Sequence, residues 1–319
     1  MLSRIADSLY WMTRYLERAD ATARLLEINL IHGIEAERAL PEAAEWRPLL
    51  SICGNEDAYA LVYEGAPVGQ ARVMDFLTGE RRNAGSIRTS LRLARENARV
   101  VRDRISRETW EGVNDLWLRS EERLARPIKA DYYRWLRSEV ARFHGATSST
   151  MMRGEAFGFY LLGLFLERAD MTARIVDVKY HLLLPDLTMV GSALDYYQWA
   201  ALLKSISGFE PFRRRYLGLR PIDVAEFVML DPDFPRSLRF AIDRMQQALE
   251  RIGSSRSPSP SGIAVEALDA LLERGDAASV FEVGLHEFLD EFLGRVSALD
   301  QAVQEEYFSV HLGPDACAT

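Results

Sequence analysis

Residues 16–24 read LERADATAR and residues 166–174 read LERADMTAR, identical at eight of nine positions across an offset of 150. Each run lies inside a long apolar stripe of helical period. In the first segment Ile5, Leu9, Met12, Leu16, Ala19, Ala23, Leu26 and Leu30 recur at spacings of four and three, the pattern of one buried helix face. In the second, Met152, Phe159, Leu162, Leu166, Ala169, Ala173, Val176 and Tyr180 follow the same register, with Glu155 where the first copy has Ile5. Two helices with matching stripes each need an apolar partner, and each supplies one for the other. The small pairs Ala19/Ala23 and Ala169/Ala173 sit mid-stripe, where two helices can approach closely.

The likeness extends beyond these runs. LLSICG at 49–54 answers LLKSISG at 202–208, Pro67-Val68 answers Pro221-Ile222, and SIRTSL at 86–91 answers SLRFAI at 237–242. Ser86 and Ser237 both read as helix N-caps. The spacing predicts two repeats of one unit, about 1–150 and 151–319. Each holds a long helix, a shorter pair, another long helix and a closing helix, near 131–144 or 277–308. β-branched alternation never persists, and Gly and Pro punctuate the chain at 41–48, 208–221, 231–235 and 253–262. SSRSPSPSG at 254–262 reads as a mobile loop. The fold class is all-α: a single domain over 1–319, a helical bundle of two tandem repeats related by a pseudo-two-fold.

A net charge of −8 argues against a whole-molecule footprint for nucleic acid or an anionic membrane. The longest apolar run, at 156–166, is too short to span a bilayer, and the charged N-terminal segment has no signal-peptide core. Cys53 and Cys317 make neither a disulfide framework nor a CxxC metal spacing, which suits a reducing cytoplasm. No histidine follows a glutamate by three positions, and HExxH, Walker A, GxGxxG and GxSxG are absent. The expectation is therefore no metal and no cofactor.

Glu17, Asp20 and Arg24 are spaced i, i+3, i+7 and share a helix face, as do Glu167, Asp170 and Arg174. Arg14 stands one turn earlier, and Arg18 and Arg168 lie beside the apolar seam. A solvated face tolerates any order of charges, so a repeated order implies a fixed partner for each. Two readings follow: a buried ion-pair network across the pseudo-two-fold, or a polar pocket at the helix junction that binds a ligand or partner. A second constellation is the stripe Arg88, Arg92, Arg95, Arg99 and Arg102, about 100° from an apolar stripe on the same helix. Only Arg239 keeps its place in the second half, opposite Arg88. Arg88, Arg92, Arg95, Arg99 and Arg239 are thus a candidate anion-binding stripe. They would meet Glu17, Asp20, Glu167 and Asp170, or a phosphate or carboxylate ligand, unless they form a solvated flank whose stems cover apolar surface. Glu17 and Glu167 are acid/base candidates in principle, but nearby arginines would hold them ionised, which suits binding better than proton transfer. Among Tyr196, Tyr197, Gln198 and Trp199, consecutive on one helix, some must face outward.

The paired LERAD runs, SIRTSLRLARENARVVRD, DYYQWAALLKSISGFEPFRRRY and VAEFVMLDPDFPRSL together resemble the bacterial alpha-E proteins, nearly end to end. That family is all-helical and named for a Glu-Arg motif. The resemblance places this motif on Glu17-Arg18 and Glu167-Arg168, and an Arg-Glu-Asn element on Arg95-Glu96-Asn97. It also implies partners: a circularly permuted ATP-grasp protein, beside or fused to which members are encoded, and a transglutaminase-like cysteine peptidase. The implied function is a non-catalytic binding or accessory module in an ATP-dependent amide- or peptide-forming system that modifies a peptide or protein. The alternatives are an enzyme using Glu17 and Glu167 in an Arg-lined pocket on the ligase product, and charges that only hold the two halves together.

Overall fold

A computed structural model describes residues 1–35, 41–182, 193–254, 258–274, 280 and 284–309, leaving aside the side chains of 32–35, 179–182 and 193–195. Cys317, the side chain of Tyr180 and residues 255–257 of the Ser/Pro stretch lie outside this description. Fourteen α-helices and no strand occur among the described residues. The first seven are α1 Ser3–Glu35, α2 Glu42–Ile52, α3 Glu56–Val62, α4 Gln70–Thr78, α5 Ile87–Val100, α6 Arg107–Leu124 and α7 Ala130–Thr150. The remainder are α8 Glu155–Leu182, α9 Ala193–Ser205, α10 Phe209–Arg215, α11 Pro221–Leu230, α12 Leu238–Ile252, α13 Pro260–Glu273 and α14 Leu285–Val303, which runs into a π-helical turn at Gln304–Phe308.

The all-α reading holds, but among the described residues each half carries seven helices where five were expected. Glycine and proline mark helix starts more than loops. Pro41 precedes α2, Pro48 lies inside it, and α10 fits between Gly208 and Tyr216. The Ser/Pro stretch is likewise a loop only in part. The Ser259 hydroxyl caps α13 by accepting from the Gly262 amide, and Pro260 takes the first helical position. In α6 charged residues dilute the apolar signal, and few residues are buried, among them Thr109, Val113, Leu116 and Ser120.

α1 and α8 are the axis of the bundle. α1 packs on α5, α7 and α8, and α8 packs on α12, α14 and α1. Their stripes are buried from Leu9 to Leu26 and from Phe159 to Val176. Met152 is the exception. It is exposed and lies outside α8, because the chain turns from α7 into α8 there. Glu155 opens α8 and is half-buried, taking a hydrogen bond from the Met1 amino group at 3.1 Å. Ser86 and Ser237 cap α5 and α12 through the Thr89 and Phe240 amides, at 3.2 and 3.0 Å. The closing helices share a register that their letters hide: buried Tyr133, Leu136, Val140, Phe143 and Thr147 of α7 recur 156 residues later as Leu289, Phe292, Val296, Leu299 and Val303 of α14.

Ala19, Ala23, Ala169 and Ala173 are all buried, but a close approach of α1 and α8 is set elsewhere. A Cβ on Gly163 would collide with the Tyr10 carbonyl oxygen and the Thr13 hydroxyl. Thr13, 150 positions before Gly163, donates to the Tyr160 carbonyl at 3.1 Å. A side chain in one copy thus fills the space that its counterpart leaves empty, which brings the two motifs within ion-pair reach.

Candidate functional site

The Glu-Arg pairs cross. Glu17 accepts two hydrogen bonds from Arg168 of α8 (Nε–Oε1 2.9 Å, Nη2–Oε2 3.1 Å) and a third from Arg236 (Nη1–Oε1 2.8 Å). Glu167 accepts two from Arg18 of α1 (Nε–Oε1 2.6 Å, Nη2–Oε2 3.0 Å) and a third from Arg14 (Nε–Oε2 2.8 Å). Each glutamate therefore takes the arginine of the other motif. Such bidentate pairs are the strongest side-chain hydrogen bonds a protein makes. Both carboxylates are 1% exposed. Burial alone would raise their pKa values. Arg168 and Arg236 override it at Glu17, and Arg18 and Arg14 at Glu167, so both stay below the usual carboxylate range and ionised.

Asp20 and Arg24 do not meet their copies. They pair along their own helix at 2.6 Å, as Asp170 and Arg174 do at 2.8 Å. The first pair is buried and the second half exposed: the Arg24 side chain is 8% accessible, that of Arg174 38%.

The groups around the crossing match in position but not in chemistry. Tyr10 and Tyr160 lie at the offset of 150. The Tyr10 hydroxyl donates to Asp300 of α14 at 2.5 Å, and Arg14 also pairs with Asp300, at 2.9 Å. The Tyr160 hydroxyl lies 2.7 Å from Nδ1 of His144 on α7. His144 stands 156 residues before Asp300, so an imidazole in one half takes the place of a carboxylate in the other. Its Nε2 is 3.7 Å from Glu17 Oε2. Burial pushes its pKa down to about 4 despite Glu17, so the ring is neutral near pH 7. Likewise Arg24 donates to the Ser207 hydroxyl, while 154 positions earlier Cys53 lies on the Arg174 side. Burial pushes the Cys53 thiol up to about 11, which leaves it protonated and a poor nucleophile at neutral pH.

A cavity lies on each side of the crossing. One, of about 400 Å³, is lined by Glu17, Asp20, Arg24, Arg137, His144, Arg168 and Arg236 and by apolar residues of α7 and α8. The other, of about 560 Å³, is lined by Arg14, Arg18, Arg174, Glu167, Asp170 and Asp300, with Trp11, Tyr15 and Cys53. The first has more arginines than acids; the second is balanced.

The arginine stripe joins neither cavity. The apolar face of α5 packs on α1, so the basic face, a quarter turn away, meets α6. Arg88 forks onto Glu121 (2.7 and 2.5 Å), Arg95 donates to Asn114 at 2.8 Å, Arg99 pairs with Glu96 at 2.9 Å, and Arg92 is exposed. In the second half Arg239 pairs with Asp269 of α13. The expected meeting of the stripe with Glu17, Asp20, Glu167 and Asp170 does not occur.

Several site residues escaped the sequence reading. Tyr10 and Tyr160 carried a usable signal, being identical at offset 150 and seven residues before each glutamate. Arg236 carried none, because its counterpart before the helix cap is Gly85. Among the described residues no cluster of acidic, histidine or cysteine side chains is arranged to hold a metal ion, and no helix is long and apolar enough to cross a membrane.

Residues 1–308 match the Alpha-E family, described as a predicted alpha-helical domain with a conserved ER motif. Relatives include the uncharacterized proteins Mb2597 of Mycobacterium bovis and Rv2567 of Mycobacterium tuberculosis. Each is 23% identical over 318 residues, covering 92% of this chain and 35% of the relative. The chain thus spans about a third of the length of the curated relatives it matches. No solved structure matches. With an all-helical fold, a Glu-Arg pair at the centre of each long helix and a family match running almost end to end, the chain belongs to the Alpha-E family.

Proposed function

We propose that this chain is a non-catalytic helical binding module, an accessory to a circularly permuted ATP-grasp ligase in a cytoplasmic, ATP-dependent system that forms amide or peptide bonds on a peptide or protein. A transglutaminase-like peptidase is a second partner in this reading. The single observation that carries the non-catalytic part is the crossed pairing. Two glutamates, each held ionised by two arginines, cannot exchange a proton near neutral pH, so the acid/base alternative loses its working groups. The arginine-rich cavity beside Glu17 supports binding over chemistry. We read the chain as one domain of two repeats, about 1–150 and 151–319. The matching caps, the shared register of α7 and α14 and the reciprocal ion pairs support that division.

The crossed pairs also favour a second reading, in which the charges only fix the register of α1 on α8. Co-purification separates the two. A binding module co-elutes with the ATP-grasp protein, and Ala141→Glu, at an exposed position lining the cavity, weakens the complex without lowering the melting temperature. Absence of a complex, with or without ATP and magnesium, contradicts the accessory role. A complex untouched by the cavity variant leaves the charges a structural role alone.

A further inference from the structure

The cavity beside Glu17 has an electrostatic imbalance that its opposite number lacks. Arg24, Arg137, Arg168 and Arg236 line it, against the two carboxylates of Glu17 and Asp20. Glu27, which is not in the cavity lining, pairs with Arg137 and with the more exposed Arg134, so it offsets only part of the excess. The four guanidiniums are far from saturated. A guanidinium offers five N–H groups. Arg236 donates to Glu17 and Asp20, Arg24 to Asp20 and Ser207, and Arg168 to Glu17 and the Pro235 carbonyl. Arg24 Nε, Arg137 Nε and His144 Nε2 are buried with no hydrogen-bond partner among the described residues. Leaving such groups unmatched is costly, and native proteins rarely do so without a functional reason.

The same excess acts on Arg24 directly. Burial lowers its pKa to about 10, and the neighbouring Arg236 and Arg137 guanidiniums outdo part of what Asp20 restores. Arg236 in the same cavity, like Arg14 and Arg18 across the crossing, is instead raised in spite of burial, because the carboxylates paired with it favour its charge, so Arg24 is the guanidinium on which the excess falls. One cavity favours an added negative charge and the other has its charges already matched. Beside the guanidiniums the wall is apolar, built by Val140, one turn from Arg137 on α7, and by Phe157, Leu161 and Leu164 on α8. Exposed Ala141 and Ser148 mark where the cavity opens to solvent.

We propose that the cavity between α7 and α8 binds an oxyanion, carboxylate or phosphate, carried on an apolar group. The anion is held by Arg24, Arg137 and Arg236, and the apolar group lies on Val140, Phe157 and Leu164. Fork-shaped guanidiniums match planar carboxylates and phosphates, and the apolar wall excludes a bare inorganic ion as the preferred ligand. The site goes beyond the accessory role and does not depend on a ligase, so it is tested on this chain alone.

Isothermal titration calorimetry would use N-acetyl-leucine, phenyl phosphate and the neutral N-acetyl-leucinamide. One or both anions bind and the amide does not; whichever anion binds more tightly names the oxyanion. Arg24→Gln weakens binding by about tenfold or more. Since that variant removes a buried charge, Ala141→Glu provides a safer arm. It adds a carboxylate at an exposed helical position and abolishes anion binding while the melting temperature stays level or rises. Arg174→Gln, in the opposite cavity, leaves binding unchanged. Equal binding of the amide, no binding of either anion, or full binding by Ala141→Glu would overturn the proposal. None of these results bears on co-purification with the ligase.

Discussion

The Glu17 and Glu167 sides of the crossing begin from the same nine-residue run and end with different chemistry. On both sides a buried glutamate is forked by the other motif's arginine and touched by a second one. That second arginine comes from different places. Arg14 serves Glu167 from within α1, where its counterpart on α8 is Leu164; Arg236 serves Glu17 from the residue before the α12 cap, where its counterpart is Gly85. Asp300 completes one side and His144 the other. The crossing has the same geometry on both sides while its surroundings differ, so one side has its charges matched and the other carries spare guanidinium groups. The proposed binding function rests on this difference between the two sides.

The largest expected effect comes from breaking the crossing itself. Glu17→Gln and Glu167→Gln each leave buried arginines uncompensated and lower stability by about 3–5 kcal/mol in urea unfolding. The Glu17 variant loses more, because it deepens an existing positive excess. The reverse order would mean that the excess is not felt at the glutamate.

The next effect is pH-dependent and belongs to one side only. The folded pKa of His144 lies near 4, below its ordinary 6.5, so between these values the unfolded chain binds a proton that the folded chain refuses. Stability is therefore full above pH 6.5 and falls as the pH drops toward 4, by up to about 3 kcal/mol from this ring. His144→Asn flattens the stability profile in that window. Asp300→Asn, at the matching position, does not. Equal slopes in wild type and His144→Asn would show that the ring is not held neutral.

The second arginines differ less. Arg14→Gln strips a balanced cluster and costs about 3 kcal/mol, while Arg236→Gln relieves an excess and costs about 1 kcal/mol. Urea midpoints of the two variants give this directly. Smallest of all is the α5 stripe. Arg88→Ala loses the Glu121 fork and about 0.5–1 kcal/mol, and Arg92→Ala stays within about 0.5 kcal/mol.

The sequence carried the axis of the fold well, because two buried helices need uninterrupted stripes, and the letters of α1 and α8 record them. Ser86 and Ser237 were legible because a small oxygen-bearing side chain just before an apolar helical run can take up a free amide of the first turn. The short helices α3 and α10 were not, since seven residues make too few turns to establish a period. At the site, Glu17, Arg18, Glu167 and Arg168 stood out through repetition. The direction of their pairing did not, because residues adjacent in sequence point to different sides of a helix and the partner depends on how α1 lies on α8. Of the readings of the arginine stripe, only its meeting with the acids of α1 and α8 is absent among the described residues, because periodicity describes a face of α5 without saying which helix covers it. His144 and Asp300 were hidden because α7 and α14 keep the register of burial but hardly any identical letters.

A double-mutant cycle on stability tests the crossing most directly. Glu17→Gln is combined with Arg168→Gln, 151 residues away, and separately with Arg18→Gln, its neighbour in sequence. The crossed geometry predicts a coupling of about 1–3 kcal/mol between Glu17 and Arg168 and near-additivity, within about 0.5 kcal/mol, between Glu17 and Arg18. Strong coupling of Glu17 to Arg18, with none to Arg168, would contradict it.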